Sequence, residues 1–299
     1  MATGRKILFF LLGTVFLGAL LAPVLFWSGQ SLAGLPGLGF LKETDFTRYF
    51  ERAILLAAII LAFPVMRWIG INRFHELRIG WDRPRCWFLP AGFLLAALVV
   101  SAWGFATISL GLVTFKAHPP WSILASLLLT SLTVAMIEEF LFRGVIFGLF
   151  RQTMPVWGAS LLVSLIFSVI HPLKPELNQF HQVTWYSGFD LVLRSIIRLS
   201  DLTDVLSVSI PIFVLGLLLA HATVKTGALW LPIGVHAGVV FTKMSFNKLT
   251  RHLAELPPWF GSDLASGLGA IGILLLLWLL LWLLFSGARR TRHALPNGG

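Results

Sequence analysis

The sequence predicts an all-α, polytopic integral membrane protein, and three observations support this class. Hydrophobic residues make up 57% and charged residues 12% of the 299 positions, which leaves too few polar side chains to cover a soluble globule of this size. A membrane-spanning helix needs about 20 largely apolar residues, and eight stretches approach that length. Basic residues also concentrate in alternate connecting segments. We therefore expect about eight transmembrane helices in a single membrane domain, 1–299.

Polar, Pro-rich or Gly-rich breaks separate the predicted spans. The spans are 7–27, 53–70, 88–114, 122–150, 154–171, 205–222, 227–244 and 264–286. The first span follows Arg5 and Lys6, as the apolar core of a secretory signal would. Its apolar run of about 20 residues exceeds the 7 to 15 of a typical signal, so we expect it to be a span.

The distribution of charge predicts how the chain is oriented. With the N-terminus inside, the inner segments hold twelve basic and two acidic residues, and the outer segments hold ten basic and nine acidic residues. This asymmetry is the positive-inside pattern of a multi-pass protein of the cell membrane. Both termini are then cytoplasmic, and the net charge of +10 needs no nucleic-acid partner. The single cysteine, Cys86, excludes an internal disulfide and a thiolate metal site.

The longest break, 172–204, contains an amphipathic segment. Asp190, Arg194 and Arg198 follow one another at intervals of four residues within 189–199, which predicts a helix with one charged stripe. Two aromatic residues, Trp185 and Tyr186, stand just before it. We expect an interfacial helix between spans five and six, which either anchors the protein or acts as a lid over a site.

The fourth predicted span contains three ionisable residues, and charge within a bilayer marks a candidate functional site. Glu139 and Arg143 are four residues apart, so they share one helical stripe and can form an ion pair. Glu138 is turned about 100° away from Glu139, and no cation in its own helix is equally well placed for it. Glu138 is therefore the candidate general base. The structural alternative is that both acids bridge to neighbouring helices.

The fifth predicted span ends in Phe167-xxx-His171. A histidine at a helix end is often an interfacial residue without a catalytic role. If spans four and five form a hairpin that turns near 152–154, with Pro155 in the next helix, depth can be counted at about 1.5 Å per residue. The count places Glu138 about 20 Å and His171 about 25 Å above the turn, so we expect the two side chains to lie at similar depths.

The seventh predicted span carries His236 between Gly234 and Gly238. Small residues at this spacing let helix backbones approach closely, which would press His236 against its neighbours. It lies about 15 Å from the inner end of its span, within side-chain reach of the level of Glu138.

Three motifs in this order resemble the CAAX prenyl protease and bacteriocin-processing family of intramembrane endopeptidases. They are Glu138-Glu139-xxx-Arg143, Phe167-xxx-His171 and a late-helix His236. They define a motif-bearing core of about 122–244.

The resemblance implies a role for each residue. Glu138 and His171 would activate a water, and His236 would help to stabilise the oxyanion. Glu139, Arg143 and Phe167 would support the site.

The chain departs from the family pattern at Val240. The family's third motif usually carries Asn or another polar residue four positions after the histidine, and Asn247 stands about two turns further along. Losing one oxyanion donor typically lowers the rate by about 10²–10³. Another group must therefore supply the donor, or the enzyme is slow or inactive.

A second mechanism uses the same catalytic residues as metal ligands. Glu138, His171 and His236 form a plausible zinc set with an open position for water. No His-Glu-xx-His sequence is present, however, and the mechanism implied by the resemblance needs no ion. We therefore expect no cofactor, with Zn²⁺ as the alternative.

The expected function is hydrolysis of a peptide bond in a membrane-anchored or exported protein. Two other classes stay open. A transporter would also bury Glu and His residues, and a non-catalytic membrane partner or immunity-type protein would explain Val240. The partners expected from the sequence are a protein or peptide substrate and the lipid bilayer.

Overall fold

The structure, a computed structural model, describes residues 2–68, 70, 83–171, 182–198, 202–253 and 264–285. These residues are mostly helical, which confirms the all-α membrane class. The helices are α1 (Ala2–Leu32), α2 (Phe46–Trp68), α3 (Arg83–Cys86), α4 (Phe88–Ser109), α5 (Leu124–Glu139), α6 (Phe147–Phe150), α7 (Val156–Ile170), α8 (Ser187–Arg198), α9 (Leu202–Thr226), α10 (Trp230–Leu249) and α11 (Gly267–Leu284). A π-helical segment, Phe140–Ile146, joins α5 to α6, and two short strands are β1 (Val113–Phe115) and β2 (Thr250–His252).

Six helical stretches in the described part of the chain are long and apolar enough to cross a membrane. They are Gly4–Leu32, Phe46–Trp68, Phe88–Ser109, Trp121–Phe150, Val205–Thr226 and Gly267–Leu284. The predicted spans 154–171 and 227–244 are also helical, as α7 and α10, but α7 has 15 residues and α10 carries Lys243 and Lys248. A multi-spanning protein is therefore shown, while the count of eight spans stays a prediction.

The described residues form two compact units, drawn from 1–72 with 169–202 and from 73–168 with 203–299. In the first unit, α8 packs on α1 and α2. Gly188 allows this close contact, because a Cβ there would clash with the carbonyl of Ala19. Leu191 is fully buried in a small core shared with Ala19 and Phe50.

Helix α8 has the amphipathic character predicted for 189–199. Its Asp190 and Arg194 form an exposed ion pair with a 3.0 Å contact, while Leu191 is buried in the core. The Arg198 side chain and residue 199 lie outside the described part. Whether α8 acts as an anchor or as a lid stays a prediction.

In the second unit, α10 packs most closely against α4. A Cβ at Gly234 would clash with the carbonyl of Leu89, and one at Gly238 would lie 2.5 Å from the carbonyl oxygen of Phe93. Gly92 makes the reciprocal approach on α4, where a Cβ would lie 2.9 Å from the Leu231 carbonyl oxygen. The glycines around His236 therefore permit close backbone contact, as their spacing predicts.

The predicted end of the third span is wrong, because the helix within 88–114 ends early. Helix α4 stops at Ser109, and Gly111 follows with φ +70°, a left-handed conformation that glycine adopts readily and that commonly ends helices. The chain then enters β1, which pairs antiparallel with β2 so that Thr114 faces Arg251. β-Branched and aromatic residues at 113–115 favour this extended conformation.

The connection between α6 and α7 agrees with the predicted hairpin. Helix α6 ends at Phe150, and the backbone of Arg151, Gln152 and Thr153 closes a turn by hydrogen bonds to the preceding carbonyls. Pro155 stands immediately before α7, with its carbonyl accepting a hydrogen bond from the backbone of Ala159. This is a favoured position for proline at the beginning of a helix.

Candidate active site

The two acids are the last residues of α5, and they point in different directions. Glu139 is fully buried in the second unit, whereas the side chain of Glu138 retains 15% of its exposure. Consecutive helical residues are about 100° apart around the axis. One acid therefore enters the packed interior, and the other reaches a partly open side of the same helix.

Glu139 forms the ion pair with Arg143 that the four-residue spacing predicts. Arg143 Nη1 donates to Glu139 Oε1 at 2.8 Å, and both side chains are buried. Arg143 Nη2 also donates to the carbonyl of Gly216 at 3.2 Å. The guanidinium lies 4.5 Å from the ring centroid of Phe167, a cation–π contact. Helices α7 and α9 thus hold the arginine on two further sides.

Gly216 is a site residue that the sequence did not single out. A Cβ at this position would lie 2.8 Å from Cβ of Ser164, so α9 and α7 approach closely beside the arginine. The carbonyl of Gly216 reaches Arg143 at that point. A single glycine in a long apolar helix gives only a weak signal, because glycines are frequent in membrane spans.

His236 lies between the two acids. Its Nδ1 is 2.8 Å from Glu139 Oε1, and its Nε2 is 3.8 Å from Glu138 Oε2. Phe167 packs against the imidazole in an edge-to-face arrangement, with ring centroids 5.9 Å apart. The histidine is almost fully buried, with 2% exposure. Both nitrogens are therefore directed at carboxylates, one in direct contact and one across a short gap.

The contact between Glu139 and His236 assigns a role to one imidazole nitrogen, Nδ1. Arg143 balances the charge of Glu139, so this acid acts as a carboxylate acceptor and Nδ1 carries a donated hydrogen. Nε2 then faces Glu138, either as an acceptor in the neutral ring or as a donor in the imidazolium ion. The sequence predicted the pair of Glu139 with Arg143 and left open a bridge to a neighbouring helix, but it did not identify His236 as that partner.

His171 follows the last residue of α7 and is half-buried. It falls among the residues of the first unit, and the candidate site residues Glu138, Glu139, Arg143, Phe167 and His236 fall in the second. The expected similarity in depth between His171 and Glu138 stays a prediction.

Position 240 offers no polar group one turn after His236. Val240 is half-buried, and Asn247 is exposed near the end of α10. The exposed position of Asn247 agrees with the expectation that it does not replace the missing polar residue.

The described residues do not assemble a metal site. Within them, no group of three or more His, Cys, Asp or Glu side chains is arranged to hold an ion. Nδ1 of His236 is also committed to Glu139, which leaves only Nε2 available to a metal. The alternative zinc set of Glu138, His171 and His236 stays a prediction.

The fold and the residues described above define a class: a multi-spanning helical membrane protein in which Glu138, Glu139, Arg143 and His236 lie close together. Residues 120–242 match the family of type II CAAX prenyl endopeptidase Rce1-like proteins. This stretch covers less than half of the chain and carries all three motifs, so the predicted resemblance is confirmed. The family is one of proteases. No curated protein and no solved structure matches the chain.

Proposed function

We propose that the protein is an intramembrane endopeptidase that hydrolyses a peptide bond of a membrane-anchored or exported protein. The observation that supports this most is the position of His236 between Glu138 and Glu139. Such an arrangement supplies a proton acceptor and an adjacent donor for charge that develops in the transition state. The protease family of residues 120–242 supports the same reaction class.

In the proposed reaction, Glu138 is the general base. It takes a proton from a water molecule while the water oxygen adds to the carbonyl carbon of the substrate. The 3.8 Å between Glu138 Oε2 and His236 Nε2 exceeds a hydrogen bond but lets one oxygen atom lie within about 2.8 Å of both. Glu138 then returns the proton to the leaving nitrogen as the carbon–nitrogen bond breaks.

His236 is the proposed donor to the oxyanion. With one guanidinium against two carboxylates, the cluster has a net charge of −1 when the imidazole is neutral and zero when it is protonated. A protonated His236 is thus electrically balanced, and its Nε2 hydrogen points to the side of Glu138. Glu139 and Arg143 are positioning residues, because they act through His236. His171 stays the proposed partner of Glu138 in water activation, on the family resemblance alone.

The test compares two acids of the same chain. Glu138→Gln keeps the size of the side chain and removes the base, so we expect a folded protein without cleavage activity. The measurement is quantitative profiling of protein termini in cell membranes. It compares cells that produce the wild-type protein, cells that produce the Glu138→Gln variant and cells that produce neither. A terminus that appears only with the wild-type protein identifies both the substrate and the bond that is cleaved. Glu43 is an exposed acid that is distant from Glu138 in the sequence. Glu43→Gln therefore serves as the matched control, and this variant should cleave the substrate as the wild-type protein does. Normal turnover by Glu138→Gln would disprove the assignment.

Metal dependence needs a separate measurement. If the side chains activate water unaided, exhaustive chelation leaves cleavage unchanged and the purified protein lacks stoichiometric zinc. Loss of cleavage on chelation with recovery on adding Zn²⁺ would favour the metal mechanism.

Val240 favours a second candidate, a non-catalytic membrane partner or immunity-type protein. Such a protein would keep its cellular effect when Glu138 is replaced by Gln. The termini of the membrane proteins would then be the same in cells with and without it. Val240→Asn would then restore no activity, whereas in a slow protease it is expected to raise the rate by up to the 10²–10³ that one oxyanion donor supplies.

A further inference from the structure

The strand pair β1–β2 joins three helices at one end of the second unit. β1 lies in the segment 110–120, which connects the span Phe88–Ser109 to the span Trp121–Phe150. β2 follows directly on α10. The backbone of Lys116 donates to the carbonyl of Leu249, and the backbone of Leu253 donates to that of Leu112. Because the connection between the two spans is short, the strand pair must lie at the level of the lipid headgroups.

Cations gather on this strand pair. Lys116 Nζ donates to the carbonyl of Lys248 at 2.8 Å, which brings its ammonium to the end of α10, where free carbonyls favour positive charge. Lys248, Arg251 and His252 are exposed beside it. We call Lys116, Lys248 and Arg251 the basic cluster.

In the described part of the chain, no acid forms an ion pair with a member of the basic cluster. The sequence contains no Asp or Glu between residues 83 and 137 or between 240 and 253. Within the described ranges, the ion pairs involve Glu138, Glu139 and Asp190, and none of these acids pairs with a member of the cluster. Three like charges held together in this way repel one another unless an anion binds.

Exposed apolar side chains border the cluster. Phe115 and Trp121 are 42% and 56% exposed, and their ring centroids lie 6.3 Å apart. Leu253, directly after β2, is 56% exposed. Aromatic residues at headgroup depth and cations next to them are the combination by which proteins contact anionic lipid surfaces.

We propose that the basic cluster binds the phosphate headgroup of an anionic membrane lipid, with Phe115 and Trp121 inserted beside its upper acyl chain. An acidic soluble peptide would also satisfy the charges, but it would not explain the exposed aromatic rings of Phe115 in β1 and Trp121 at the beginning of a span. Bound lipid would hold the C-terminal end of α10, the helix that carries His236. The proposal concerns binding alone and stands whether or not the protein is a protease.

The test uses the full-length protein in a neutral detergent. Binding of phosphatidylglycerol and of phosphatidylcholine is measured by native mass spectrometry and by the shift in melting temperature. We expect wild type to prefer phosphatidylglycerol by roughly tenfold or more, since each cation near a lipid surface adds a several-fold preference. The preference should shrink as ionic strength rises.

Matched variants separate charge from structure. K116Q/K248Q/R251Q should reduce the preference to about twofold or less, whereas K116R/K248R/R251K keeps the charges and should retain it. K42Q/R48Q/R52Q removes three exposed cations that lie near Glu43, Asp45 and Glu51 in the sequence, and it should also retain the preference. A poorly folded glutamine variant would be recognised by its melting temperature, and the charge-retaining variant then decides the outcome.

Three results would overturn the proposal. The first is an unchanged lipid preference in K116Q/K248Q/R251Q. The second is equal stabilisation by inorganic phosphate at matched ionic strength, which would indicate a site for a free anion. The third is binding of a polyglutamate peptide that depends on the cluster while phosphatidylglycerol does not, which would indicate a peptide-docking surface.

Discussion

Glu138 and Glu139 are adjacent in the sequence, yet their surroundings give them different roles. Glu139 contacts Arg143 and His236 through the same oxygen, Oε1. Glu138 approaches the other nitrogen of His236 from a partly open side of the helix. A carboxylate held by two partners suits positioning, and one at a partly exposed edge suits proton transfer.

A prediction at the residue scale concerns Arg143. Arg143→Ala removes the cation from a buried pair and leaves Glu139 uncompensated, so we expect the free energy of unfolding to fall by about 3–5 kcal/mol. Activity should fall with it, because Glu139, which contacts His236, is no longer held by Arg143. Thermal unfolding and cleavage assays on the same preparation measure both effects.

Arg151→Ala is the matched control for this change. Arg151 lies eight residues further along the chain, half-exposed, with its guanidinium 6.0 Å from the Phe147 ring centroid. Its loss should change stability by about 0.5 kcal/mol or less. Equal stability of the Arg143 and Arg151 variants would contradict a structural role for the buried pair.

At this scale the sequence predicts contacts within one helix and misses those between helices. The Glu139–Arg143 pair follows from four-residue spacing alone. The contacts of Glu139 with His236 and of Arg143 with Gly216 depend on how α9 and α10 pack. Spacing within a helix carries no information about that packing.

At the scale of helices, the glycine contacts between α4 and α10 determine where His236 can stand. Gly234→Ala places a methyl group against the carbonyl of Leu89, so α10 must move away from α4. We expect lower thermal stability and reduced cleavage, although alanine ordinarily favours a helix by about 1 kcal/mol over glycine.

Gly148→Ala supplies the control, because nothing lies within 4 Å of a Cβ there. Its stability should equal or exceed that of wild type, as helix propensity alone predicts. If Gly234→Ala behaved like Gly148→Ala, close packing of α10 on α4 would not be needed for the site.

Helices were predictable from hydrophobic length, but the strand pair was not. β1 and β2 have three residues each, and each is stabilised by a partner far away in the sequence. The apolar run after Ser109 therefore resembles a continuation of α4. Only Gly111 marks the change, and a single glycine is tolerated inside many membrane helices.

At the scale of the whole molecule, an experiment can determine the orientation of the chain in the membrane. The charge distribution predicts cytoplasmic termini, which places the segment 110–120 outside and the α6–α7 turn inside. Ala117 and Thr153 are exposed in these two connections. In a Cys86→Ser background, an impermeant thiol reagent should label Ala117→Cys on intact cells and Thr153→Cys only after the cells are opened.

Leu129→Cys serves as the control for this experiment. Leu129 is 69% exposed within a membrane-spanning helix, so lipid should protect it from the reagent in both conditions. The opposite pattern at Ala117 and Thr153 would invert the topology and turn Glu138 towards the cytoplasm, which would favour a role in processing cytosolic proteins.

The π-helical segment Phe140–Ile146 also affects how this sequence should be aligned with related sequences. A π-helix closes its hydrogen bonds one residue later than an α-helix, so the segment contains one residue more than an ordinary helix of equal height. Arg143 lies inside it and still forms the four-residue pair with Glu139. A related protein that lacks one residue after Arg143 could form a regular α-helix here. It would keep the two glutamates, the arginine and the membrane span, and only the part of the helix after the missing residue would be rotated. Alignments of such proteins should therefore allow a one-residue gap between Gly144 and Phe147.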